Sequence, residues 1–236
     1  MPRPVKGTVR RAVTAAVEYG VARAGIAAVR ALDHDVIGQA HHPRGAPGRI
    51  TAWEMAHRPS NRQRNRWVVS LLGMQRTDRV LEIGFGPGLA IADLARAGAG
   101  HVYGIDHSGV MLRQAARRNA AAIRAGRVTL IRASVDQLPP ALDGPFDAIL
   151  AVNSLAFWPA PAQRLAELRR RLAPGGRIAI ASQPRCPGAT ADTSRRAARE
   201  IEDLLRDAGF THLSTQTLPL SPPVACVLAA SPAPDR

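Results

Sequence analysis

Val80-Leu81-Glu82-Ile83-Gly84-Phe85-Gly86-Pro87-Gly88 is the stretch whose reading decides the fold. Arg79–Ile83 is a short apolar run of strand type, and the glycine turn after it opens into a helical pattern over about 89–96. Strand, tight turn and helix in direct succession begin a βαβ unit, which binds ligands at the carboxyl end of its strand. The spacing restricts the ligand. A dinucleotide loop wants G-x-G-x-x-G, whereas here the third glycine falls one residue early and Leu89 takes the expected place. Pro87 removes one backbone N–H, which weakens the loop as a pyrophosphate cradle. No Gly-Lys-Ser/Thr follows, so a Walker phosphate loop is excluded. What suits such a turn is an adenosine carrying an amino acid, with no phosphate to hold.

Downstream the pattern alternates. Strands are predicted at 101–105, Val128–Arg132, Phe146–Val152, 177–181, 210–217 and 224–229. Helices are predicted from Ser108 to just before Gly126, from Pro161 to Leu172, and over 194–208. Upstream, Ser60-Asn61-Arg62-Gln63 matches a capping box and predicts a helix to about Met74. Strands alternating with helices call for a mostly parallel sheet covered on both faces. The expected division is a helical extension or lid over residues 1–59 and one α/β domain over 60–236. In the extension, Val9, Val13, Val17, Val21, Ile26 and Val29 keep close to helical spacing.

The formal charge of +14 is concentrated early: residues 1–66 hold twelve Lys/Arg against four Asp/Glu. A cationic surface attracts nucleic acid, anionic lipid or an acidic substrate. Nucleic acid is disfavoured, because aromatics make up only 4% of the chain and none interleaves with a dense basic run. Peripheral membrane contact through the first helix stands as an alternative to its packing as a lid. The two cysteines, Cys186 and Cys226, supply neither a disulfide framework nor zinc-ligand spacing, so no metal is expected and a cytoplasmic location fits.

Asp106 ends the second strand, where an acidic side chain accepts from both hydroxyls of a ribose. From here the sequence resembles the class I, Rossmann-like methyltransferases that use S-adenosyl-L-methionine (SAM), over roughly residues 60–229. Val80 to Gly88 looks like that family's first motif, and Gly104-Ile105-Asp106-His107-Ser108 like its acidic second-strand end. Ala133-Ser134-Val135-Asp136-Gln137-Leu138-Pro139 resembles its adenine-contacting turn, Phe146 to Asn153 its fourth strand, and Leu168 to Arg177 its helix and turn before strand five. The resemblance implies an α/β fold: a doubly wound, seven-stranded, mostly parallel sheet with a C-terminal antiparallel strand, preceded by the N-terminal helical extension. It implies that Gly84, Phe85, Gly86 and Gly88 bring backbone to SAM and that Glu82 faces its amino-acid end. Asp106 would hold the ribose, His107 would flank the adenine, and Val135 and Asp136 would cover it. Asn153 would stand near the sulfonium and the acceptor.

The acceptor is less legible. Strand four is followed by Asn153-Ser154-Leu155-Ala156-Phe157-Trp158, without the Asn/Asp-Pro-Pro-Tyr/Phe run that goes with nitrogen methylation. Many small-molecule members carry a histidine near the position of Ala156, so a base from this loop is in doubt. Elsewhere the candidate bases are His41, His42, His57 and Tyr19. The expected activity is methyl transfer from SAM to a small, largely apolar metabolite. The alternatives are an RNA- or protein-directed enzyme drawing on the basic N-terminal segment, and a SAM-binding scaffold without activity.

Overall fold

The computed structural model describes residues 55, 57–186 and 188–233. Helix α1 (Pro59–Leu71) precedes β1 (Arg79–Ile83), α2 (Leu89–Ala97) and β2 (His101–Asp106). Then come α3 (Gly109–Arg118), α4 (Ala120–Arg124), β3 (Val128–Arg132), β4 (Phe146–Val152) and α5 (Pro161–Arg170). The chain continues through β5 (Leu172–Ser182), α6 (Ala191–Asp207), β6 (Thr211–Leu218) and β7 (Val224–Ala230). The seven strands form one sheet in the order β3-β2-β1-β4-β5-β7-β6. Only β7 runs antiparallel, between β5 and β6. This is the α/β methyltransferase fold, and it carries a topological switch where β1 lies between β2 and β4. Crossovers leave in opposite directions there, which opens a crevice beyond the strand ends.

Both faces of the sheet are buried, and successive residues along a strand divide between the two layers. In β4, Ala148 and Leu150 join one core while Ile149 and Ala151 join the other. All four are fully buried, and a Leu or Ile so placed contributes about 1.5–3 kcal/mol relative to exposure. The first core is covered by α1, α2 and α3 and the second by α5 and α6.

Three local expectations shift. Helix α1 starts at Pro59, whose fixed φ and missing N–H suit a first helical position, so Ser60 is not its cap. The Ser60 hydroxyl instead accepts from Arg185 Nη2 at 2.7 Å. The single helix predicted after Ser108 is broken at Asn119, whose buried Nδ2 donates to the carbonyls of Gly88 and Ala115 at 3.1 and 2.9 Å. Strand β5 begins at Leu172, before the Pro-Gly-Gly turn, because Leu172 pairs with Phe146 across an irregular register. Ser108 does cap α3, accepting from the Met111 amide.

Gly88 shows how tightly the first turn is held. Its φ is +72°, and a Cβ there would lie 2.7 Å from the Ala115 Cβ and 2.8 Å from Asn119 Nδ2. Gly126 shares the left-handed backbone, at φ +67°, but faces open space. Gly88→Ala should therefore lose about 2–4 kcal/mol, conformational cost plus overpacking. Gly126→Ala should lose only the conformational part, about 1 kcal/mol. Urea unfolding midpoints of the two variants check this, and equal losses would contradict it.

Candidate active site

The carboxyl ends of β1, β2 and β4 open into one cleft, bordered by Glu82, Gly84, Phe85, Gly86, Asp106, His107, Val135 and Asn153. Asp106 ties the glycine turn to the next strand. One carboxylate oxygen accepts from the Gly86 amide and the other from the Ser108 amide, both at 2.8 Å. Every remaining amide of the turn is also engaged. Gly84 and Phe85 donate to the Ile105 carbonyl at 2.8 and 3.2 Å, Pro87 has no N–H, and Gly88 donates to the Phe85 carbonyl at 2.9 Å. No amide from Gly84 to Gly88 is left free for a phosphate, in keeping with a turn that makes a weak pyrophosphate cradle.

Glu82 is 2% exposed, and its Oε2 has no hydrogen-bond partner. Burial, then the neighbouring Asp106 and Asp93 carboxyls, push its pKa up to about 8, although the Ile91 amide at the start of α2 opposes this. Asp106, 7% exposed, is also raised by burial, and its two amide partners offset part of that. The cleft thus holds two buried carboxyl groups side by side, one of them with an unfilled acceptor.

The opposite wall is cationic and comes from α1 and the loop after β5. Asn61, Arg64 and Asn65 of α1 border the cleft with Arg58 and Arg185. Arg64 is 6% exposed and donates to Gln183 Oε1 at 3.0 Å. Arg185 donates to the same oxygen at 2.7 Å. Gln183 itself is fixed: its Nε2 donates to the Pro222 carbonyl at 2.9 Å, and its backbone pairs with the Asn153 side chain in both directions at 2.7 and 3.2 Å. Asn153 holds a left-handed backbone, φ 54°, to make that pair.

The predicted site residues do not all converge. Gly88 lies off the cleft lining, and a Cβ there would collide with Ala115 of α3 and with Asn119. Asp136 is exposed outside the lining, its carboxylate held below the usual range by the Ser134 hydroxyl. The ring of Phe85 is buried in the first core beside Gly104, so the residue meets the cleft mainly with backbone. The amide of Asn153 is already engaged by Gln183. His57 is exposed and off the cleft, while Tyr19, His41 and His42 lie outside the described residues. The arginines and asparagines of α1 were missed. Asn61, Arg64, Asn65, Val68 and Val69 are the buried residues of α1, at the spacing of one helical face. A polar first half on an otherwise apolar stripe was the available signal.

A family profile described as a methyltransferase domain matches residues 80–176. The uncharacterized methyltransferase YdaC of Bacillus subtilis (strain 168) is 34% identical over 176 residues, covering 73% of this chain and 94% of YdaC. The chain belongs to the class I SAM-dependent methyltransferases. The O-methyltransferase resE of Aspergillus sclerotiorum is 28% identical over 61% of this methyltransferase and 59% of its own length. Among solved structures, a SAM-dependent methyltransferase from Aquifex aeolicus superposes with a TM-score of 0.63 at 21% identity, over 80% of this chain and all of that one. The N-methyltransferase NodS of Bradyrhizobium japonicum WM9, solved with S-adenosylhomocysteine (SAH), gives 0.61 at 19%, over 76% and 91%. No helix among the described residues of the methyltransferase is long and apolar enough to cross a membrane.

The residues fit SAM. The unfilled Glu82 oxygen suits an ammonium, and each Asp106 oxygen keeps a lone pair for a ribose hydroxyl. Val135 and His107 offer an apolar face and a ring beside it. An ammonium against Glu82 favours its charged form, so a carboxyl that is mostly protonated near pH 7 should lose its proton on binding. Calorimetric titration with SAH in buffers of different ionisation enthalpy should show net proton release near pH 7. Affinity should rise with pH toward the Glu82 pKa of about 8. Glu82→Gln should abolish the release and weaken SAH about tenfold or more, the scale of one hydrogen bond to a charged group.

Proposed function

We propose that the acceptor is a small molecule, seated between α1 and the turn after β4. The observation that supports this is the convergence of α1, the glycine turn, the β4 turn and the loop after β5 on a single cleft. Apolar and polar groups line this one concavity together, which suits a nucleoside-bearing cofactor with one further small ligand.

Bound SAM supplies an electrophilic methyl group on a sulfonium, and the chain's own residues have to align it and keep water out. Asp106, Val135 and His107 fix the adenosine end. Glu82 fixes the amino-acid end. Phe157 and Trp158 border the cleft beside Asn153 and supply apolar surface next to the reacting centre. Orientation of this kind supplies on the order of 7–11 kcal/mol of a displacement barrier without any base. Among the described cleft residues His107 is the only imidazole, and it belongs to the adenosine end. Transfer to oxygen, the activity named for resE, fits an acceptor that arrives ionised or nearly so. The free thiols of Cys186 and Cys226 accord with a cytoplasmic setting.

The experiment is label partition. The protein is incubated with methyl-labelled SAM and a cell extract separated into small molecules, total RNA and protein. Label is expected in the small-molecule fraction. Label recovered in RNA or protein would overturn this reading.

A further inference from the structure

The helices on the two faces of the sheet carry unlike charge. Over the first core, α1, α2, α3 and α4 hold eight arginines and a single acid, Asp93, which Arg96 pairs. Over the second core, α5 and α6 hold seven arginines against six Asp and Glu. The excess is densest in α3, α4 and β3, where His107 to Val135 contain six arginines and no Asp or Glu. Like charges crowd there. Arg113 Nη1 and the Arg132 guanidinium lie 3.5 and 3.9 Å from the point where a Cβ of Gly109 would stand. Arg118 is held below its usual pKa by burial and then by the charges of Arg62 and Arg96. Arg113, Arg117 and Arg124 are exposed and make no hydrogen bond or ion pair among the described residues. The carboxyl ends of α3 and α4 favour cations at Arg117 and Arg124, but this does not explain why no acid lies between them.

A cationic layer without intervening acids attracts a polyanionic surface, and further observations select which one. Helices α1 to α4 carry one aromatic residue, Trp67, which packs against the first core. The layer therefore offers no array of rings on which bases could stack. Helix α1 belongs both to the layer and to the cleft: Arg62 and Arg66 are exposed, while Asn61 and Asn65 border the cleft. Residues 1–54 lead into this helix. They hold eight Lys/Arg against four Asp/Glu, and their apolar residues Val9, Val13, Val17 and Val21 recur every four positions. A sequence both basic and apolar, continuous with a basic layer, complements anionic headgroups above an apolar phase. A nucleic acid backbone has no such phase to receive it. The choice of lipid also rests on the small-molecule reading above, since an apolar acceptor concentrates in a bilayer.

We propose that the layer of α1 to α4, centred on Arg113, Arg117 and Arg124, is a peripheral docking face for an anionic phospholipid surface. The contact is electrostatic and lies at the level of the headgroups. Docked in this way, the methyltransferase turns the edge of the cleft formed by α1 toward the bilayer, the source of an apolar acceptor. The nearly balanced layer of α5 and α6 faces away. Each arginine near the headgroups strengthens the attraction about fivefold, and salt screens it.

The test is sedimentation of the full chain with vesicles. Vesicles of phosphatidylglycerol and phosphatidylcholine in equal parts should carry the protein down, and pure phosphatidylcholine vesicles should not. Raising the salt from about 50 to about 500 mM should release it. The triple variant Arg113→Gln, Arg117→Gln, Arg124→Gln should partition about a hundredfold less well. Arg170→Gln, Arg196→Gln, Arg199→Gln makes the same charge change on the opposite layer and should stay within about threefold of the wild type. Arg113→Lys, Arg117→Lys, Arg124→Lys keeps the charge and should also stay within about threefold. SAH affinity should be unchanged within about threefold in all three variants, since the substitutions lie apart from the cleft. A wild type that stays in solution beside the anionic vesicles at low salt would overturn the proposal. So would an α3 and α4 glutamine variant that binds no worse than the α5 and α6 one. A mixed-sequence RNA duplex that displaces the vesicles, and is itself lost in the α3 and α4 variant, would assign the layer to nucleic acid instead. The two readings fail separately: the small-molecule reading by label in RNA or protein, the lipid face by absent sedimentation here.

Discussion

Asp106 holds the glycine turn against the end of β2 through two amide hydrogen bonds of 2.8 Å, and most of the cleft depends on that clamp. The turn must curl back over the sheet to present Gly86 to Asp106. Gly104 allows it, because a Cβ there would meet the Phe85 ring at 2.9 Å and Ile91 at 2.7 Å. With the turn so placed, α2 starts beside β1 and its Ile91 amide reaches Glu82. The partial positive end of a helix then favours a carboxylate that burial opposes. Neither influence satisfies Oε2. The fold thereby keeps an acceptor in reserve at the cleft, where a cationic ligand group would complete it.

A second clamp works on the other side of the switch point. Asn153 adopts φ 54°, a left-handed backbone that asparagine tolerates better than most residues. There its side chain takes the place of a missing strand neighbour, accepting from the Gln183 amide and donating to the Gln183 carbonyl. Such a residue costs about 1–3 kcal/mol where nothing over-determines it. Here two hydrogen bonds to one buried residue offset the cost. The result is that Gln183 is fixed from β4, and the arginines that meet on its side chain are fixed through it. Ser154, next in the chain, donates to the Ile83 carbonyl at 2.7 Å, so the β4 turn is also tied to β1.

The two halves of the cleft were not equally legible in the sequence. One half is local: Glu82, the glycines, Asp106 and Val135 each lie at or within a few residues of the end of a strand, so a strand pattern and a turn pattern place them together. The other half depends on contacts such as Arg64 to Gln183, 119 positions apart, which no local pattern encodes. The α1 stripe was misleading for a related reason. Polar residues at 61, 64 and 65 break the apolar pattern by which a buried face is recognised, yet they continue the stripe that buries Val68 and Val69. Ser60 misled in the same way, since its hydroxyl serves Arg185 and Pro59 already starts the helix. Gly88, expected to bring backbone to the cofactor, has a further constraint that no local pattern encodes: Ala115 and Asn119 exclude a side chain there.

This division of labour also explains what relatedness can and cannot convey. The family profile spans 80–176, a segment that contains Glu82, Asp106, Val135 and Asn153. Arg58, Arg64 and Arg185 all lie outside it. Within the profile, the backbone that carries these side chains is constrained by the sheet register on both sides. Outside it, α1 rests on α2 and the loop after β5 rests on Gln183, so residues there can change without disturbing the parallel strands. A chain can therefore share fold and cofactor with O- and N-methyltransferases alike while part of its cleft is lined by a helix and a loop that the shared segment does not include. In this protein those two elements bring Arg64 and Arg185 to the cleft.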